Sequence, residues 1–144
     1  MPEDWNAWRS EPPGPVAPDV ESVHADSVAW LNDLGETYGS AEGAKCWPER
    51  PTMWTDKCAL GAAKAGEAAR SSLQRIKHEP AGYFTTLRAN AAKVTTAVTA
   101  YQSGNCASVP ASSAKRAKCQ EAAYTIAQAY IYLRAGFNAA LAGH

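Results

Sequence analysis

Four cysteines, three histidines and one tryptophan-rich loop are the residues of this chain whose types and spacing could do specific chemistry. Cys46, Cys58, Cys106 and Cys119 fall into two local pairs, with eleven and twelve residues between partners. Structural zinc sites place their cysteines about two to four residues apart, so the spacing disfavours a metal and leaves disulfides or free thiols. In each pair one cysteine lies in a proline-containing loop and the other near the start of a predicted helix. The pattern predicts two disulfides, Cys46–Cys58 and Cys106–Cys119, each tying a loop onto the helix that follows, although sequence alone leaves other pairings open. Closing loops of this length contributes about 3 kcal/mol each. Disulfides imply an oxidising compartment. The expected location is therefore extracellular or cell-envelope, with a leader or anchor lost upstream of Met1.

The histidines offer little for catalysis. His144 is terminal, and His78 is expected at the end of a helix, where a partly protonated imidazole suits the dipole. His24 projects onto the apolar stripe of the first helix beside Ser27, and it follows Glu21 by three residues. Di-iron carboxylate bundles need two such Glu-x-x-His motifs and further glutamates, and this sequence has one motif. His24 is read as a satisfied boundary residue. There is no Gly-x-Ser-x-Gly, no Cys-x-x-Cys-His and no glycine-rich phosphate loop, so neither a nucleophile elbow, a covalent haem nor a nucleotide site is expected. The reading is non-enzymatic, with no metal and no cofactor.

The segment between Cys46 and Cys58 is more specialised. It presents Trp47, Arg50, Met53 and Trp54 among two prolines and between two cysteines. Tryptophan and arginine dominate binding hot spots, and a loop held by a bridge and prolines loses little entropy on binding. These four residues are the expected contact set, with Trp5 and Trp8 as secondary candidates. The opposing possibility is that the tryptophans merely plug one end of the core.

The elements that must position this loop are helical. The 144 residues hold 30 alanines and only three isoleucines, a bias toward helices packed closely and against sheet. It also suggests a GC-rich bacterial genome. Residues 1–18 carry five prolines and read as an extended arm, leaving 19–144 as the domain. A first helix is expected over 19–38, with Val20, Val23, Leu31, Leu34 and Tyr38 on one stripe. A second is expected over 56–78, capped by Thr55 and bearing a seam of small residues. A third is expected from Pro80 to about Ser103, with Phe84, Leu87, Ala91, Val94, Val98 and Tyr101 as its seam. A fourth is expected from about 108–112 to Leu141 through Cys119, Ala123, Ile126, Tyr130, Leu133 and Phe137. Apolar residues alternating three and four apart suit near-parallel packing at about 20°. The predicted fold is an all-α antiparallel four-helix bundle with two disulfides.

Net charge is zero, but it is unevenly spread. Residues 1–72 carry twelve acids and six bases, and residues 73–144 carry eight bases and two acids. Attraction between neighbouring helices explains this blandly. Separate acidic and basic faces for partners, or head-to-tail self-association, explain it functionally. Lys115, Arg116 and Lys118 start the fourth helix, where positive charge opposes the dipole and suits an anion. Aromatic residues do not interleave with a basic stripe, so nucleic acid is not expected. No apolar run approaches the roughly 20 residues needed to cross a bilayer.

Two functions follow as expectations. The first is a non-catalytic extracytoplasmic recognition module of a bacterial cell-envelope or secreted protein, binding another protein or envelope component. The alternative is a sensor or carrier holding a small molecule between helices, with Tyr101, Tyr130, Tyr38 and His24 as polar anchors.

Overall fold

The computed structural model describes residues 16–110 and 112–144. The expected arm lies almost wholly outside them, and Trp5 and Trp8 lie outside altogether. Among the described residues there is no strand, and five α-helices carry the fold: α1 (Val16–Leu34), α2 (Asp56–Arg75), α3 (Thr85–Ser103), α4 (Ser113–Ala127) and α5 (Ala129–Ala140). Both disulfides are formed as expected. Cys46 and Cys58 have Cα atoms 4.8 Å apart, and Cys106 and Cys119 have theirs 5.5 Å apart.

Several boundaries differ from the sequence reading for identifiable reasons. The first helix begins at Val16 and contains Pro18. A first-turn proline is tolerated because that N–H has no intrahelical acceptor. At its other end the α-geometry stops at Leu34, and Gly35–Glu42 continues as a π-helix. α2 is capped as expected, with the Thr55 hydroxyl accepting from the Lys57 N–H at 3.3 Å. It ends at Arg75, so His78 stands beyond the helix, and Arg75 is the basic residue of the last turn. α3 starts at Thr85 rather than Pro80, because Phe84 adopts the left-handed conformation at φ 59°. Such backbone is costly for a bulky residue. The fully buried Phe84 ring, edge-on to Phe137 at 6.1 Å, offsets that cost. The start of α3 then takes its cap from a distant part of the chain: the His144 backbone oxygen accepts from the Thr86 N–H and the Thr85 hydroxyl, both at 2.8 Å.

The single long fourth helix of the sequence reading is two helices. At Gln128 (φ −110°, ψ 12°) the backbone N–H turns to the Thr125 carbonyl, three residues back, at 3.1 Å. Ile126, Ala127, Ala129 and Tyr130 on either side of the break are all buried, so both helices face the core there.

α3 is the central rod, packing on α2, α4 and α5, while α1 lies mainly against α5. Ala62, Ala65 and Ala69 of α2 are fully buried and let α3 come close. α5 comes closer still, since a Cβ at Gly136 would stand 2.5 Å from the Leu87 Cα. Large side chains fill what the alanines leave, and Leu31, Ile76, Leu87, Tyr101, Leu133 and Phe137 have almost no exposure.

Candidate functional site

The Cys46–Cys58 segment is two short turns folded over one end of the core. A 3₁₀ turn closes over Gly43–Cys46 and another over Pro51–Trp54. The Arg50 N–H donates to the Trp47 carbonyl at 2.9 Å, and the Met53 N–H donates to the Arg50 carbonyl at 3.0 Å. The Thr52 hydroxyl donates to the Lys45 carbonyl at 2.9 Å. From beneath, the buried Tyr101 hydroxyl donates to the Met53 carbonyl at 2.6 Å. The loop is therefore held by the disulfide, by its own turns and by α3. Burial, and next the Asp56 carboxylate, push the Tyr101 phenol up to about 12, so it remains a donor throughout the ordinary pH range.

This geometry divides the expected contact residues. Met53 is removed from the set, because its side chain is completely buried and has no surface to offer. A thioether fills gaps readily, and the alanine-rich interior leaves such a gap. Arg50 is exposed, and Trp47 and Trp54 pack on the core with part of each ring outside. The sequence reading missed Tyr124 of α4, which is 50% exposed. Its ring meets Trp47 edge-to-face at 5.6 Å, so loop and helix share one aromatic patch.

The four proposed polar anchors are also divided. His24 Nε2 donates to Asn138 Oδ1 at 2.8 Å, a boundary hydrogen bond between α1 and α5. Tyr101 is committed to Met53. Tyr38 and Tyr130 meet in a cleft of about 220 Å3 that is also lined by Trp30, Leu34, Lys64, Glu67, Ala68 and Ser71. Tyr130 is only 4% exposed, and its hydroxyl has no hydrogen-bond partner. Leaving such a group unpaired costs about 1–3 kcal/mol. Burial first, then Tyr38 and Glu67, push this phenol up to about 12. Lys64 lies over the Tyr38 ring at 5.3 Å and 3.7 Å from Glu67. Arg75 stacks on Trp30 at 4.1 Å and donates to the Ser27 hydroxyl at 3.4 Å.

The basic cluster at the start of α4 is partly structural, since Arg116 Nη1 donates to the Pro110 carbonyl at 3.0 Å. Among the described residues no three of His, Cys, Asp and Glu gather as metal ligands do, and no helix is long and apolar enough to cross a membrane. Compared with family models, with curated proteins and with solved structures, the chain finds no match.

Proposed function

We propose that this chain is a non-catalytic extracytoplasmic recognition module of a bacterial envelope or secreted protein. It binds another protein through the disulfide-tied end of the helices. The observation that carries this reading is the part-exposed Trp47, on a loop whose backbone is fixed from several sides, paired with the exposed Tyr124 of α4. Aromatic rings held in advance of contact give up little entropy on binding. Arg50, exposed on the same loop, supplies a fork for a carboxylate. The partner surface presents an apolar side chain beside an acidic one. Two local disulfides support the oxidising compartment.

The test places a photo-cross-linking amino acid at Arg50, and separately at the exposed Gln74 of α2, in the producing cell. A discrete adduct at position 50, absent at 74 and diminished by Tyr124→Ala, is the expected result. Adducts that are equal at both positions, or none at 50, overturn the reading. Maleimide added to cells lysed without reductant is expected to label none of the four cysteines, and labelling refutes the compartment. A small-molecule carrier is the second reading, favoured by the unpaired Tyr130 hydroxyl.

A further inference from the structure

The cleft beside Tyr130 shares no residue with the recognition surface. Trp30 and Leu34 reach it from the end of α1, Tyr38 from the π-helical stretch, Glu67 and Ser71 from α2, and Tyr130 from the start of α5. π-Helical segments are rare and gather at functional sites. Gly35, the first residue of this one, lies beside Tyr130, and a Cβ there would meet the Tyr130 Cβ at an ordinary contact of 3.8 Å. Nearly all buried polar groups in native proteins are paired, yet the hydroxyl of Tyr130, a residue lining the cleft, is buried and unpaired.

The geometry points to a binding site for a small, flat, uncharged molecule, an aromatic carbonyl compound in class, whose oxygen accepts from the Tyr130 hydroxyl. This rests on the carrier reading and is independent of the recognition surface. Size comes from the cleft: 220 Å3 equals about seven waters at ~30 Å3 each, which admits on the order of ten non-hydrogen atoms. Flatness comes from the walls. Arg75 takes one face of Trp30 and Lys64 one face of Tyr38, and a ring pairs with a further aromatic in offset or edge-on contact. Charge neutrality comes from Lys64 and Glu67, which are 3.7 Å apart and cancel as the lining's formal charges. An oxygen acceptor is required because the buried phenol keeps its proton. The hydroxyl has no solvent-accessible surface of its own. The ligand oxygen therefore reaches it through a small turn of the Tyr130 ring toward the cleft, with Tyr38, Lys64 and Glu67 kept in place as its walls.

Acetophenone, ethylbenzene and benzoate separate these requirements. Each is titrated into the oxidised full chain, with amide shifts giving the location and calorimetry the affinity. Acetophenone is expected to shift Trp30, Tyr38, Ala68 and Tyr130 saturably, and to bind about fivefold more tightly than ethylbenzene, the worth of one neutral hydrogen bond. Benzoate is expected not to saturate. In Tyr130→Phe, which removes an unpaired hydroxyl and is expected to fold, the preference for acetophenone over ethylbenzene disappears. No saturable shift at the cleft, benzoate binding as well as acetophenone, or a preference that survives in Tyr130→Phe each overturns the proposal. If the variant does not fold, the wild-type acetophenone-to-ethylbenzene ratio decides alone, and a ratio near one refutes the assignment. Failure here leaves the Arg50 cross-linking result untouched.

Discussion

Gly136→Ala adds one methyl group in the middle of α5, and its cost follows from where that methyl must go. A Cβ there would lie 2.5 Å from the Leu87 Cα and 2.9 Å from its Cβ, well inside ordinary carbon contact of about 3.5–4 Å. Leu87 presents backbone and cannot rotate away, so α5 and α3 must separate. Overpacking a core costs about 3 kcal/mol at the upper end of its usual range, while replacing a helical glycine by alanine returns about 1 kcal/mol of propensity. The net is a loss of about 2 kcal/mol, or about 7 °C in Tm for a chain of this length. Gly66→Ala is the internal control. It makes the same chemical change in a helix, but the Cβ meets the Val98 Cγ1 at 3.3 Å, a side-chain tip that gives by a few tenths of an ångström. Its Tm is expected within about 2 °C of wild type. Differential scanning calorimetry of both variants decides. A Gly136→Ala variant as stable as the parent, or no less stable than Gly66→Ala, refutes the close α3–α5 contact on which the packing account rests.

Tyr101→Phe leaves the Met53 carbonyl without its buried donor and is expected to cost about 1–3 kcal/mol, with faster amide exchange confined first to residues 51–54. Tyr101 and Tyr130 are both pushed up to about 12, above the ordinary phenol value near 10. The folded state then holds their protons while the unfolded chain loses them, so their stabilising contribution is complete below pH 10 and disappears between pH 10 and 12; Tm is expected to fall across that window, and less steeply in Tyr130→Phe. Removing the second bridge by Cys106→Ala with Cys119→Ala is expected to lower stability by about 3 kcal/mol in chemical denaturation with the first bridge intact.

Much of this was legible in the residues. The disulfide pairing was carried by cysteine spacing, and helix class by alanine content and the alternating seams. Every seam residue named for the third and fourth predicted helices is buried. The break at Gln128 was not legible, because neither glycine nor proline stands there. The backbone there turns to a three-residue hydrogen bond, and no residue type at 128 announces it. Gly39 reads as a stop signal after a helix to 38, whereas the chain leaves α-geometry at Leu34 and continues in π-geometry to Glu42. In the candidate sites, Trp47, Arg50 and Trp54 were singled out by residue type and sequence context and are not fully buried, and Met53 was misplaced because adjacency to Trp54 says nothing about which way a 3₁₀ turn faces. Tyr124 was overlooked because it lies off its helix's apolar seam. Tyr38 and Tyr130 were singled out as anchors, but their meeting in one cleft depends on how α1 lies against α5.

The placement of the two bridges also bears on how the chain matures. Each cysteine's native mate is its nearest neighbour along the sequence, 12 and 13 positions away, whereas the shortest wrong link, Cys58 to Cys106, spans 48. Encounter frequency in a flexible chain falls roughly as the three-halves power of length, which favours the right mates about sevenfold before any helix has docked. Oxidation of the unfolded chain thus favours the correct sulfur partners by proximity, without help from the helices that later pack around the tied loops.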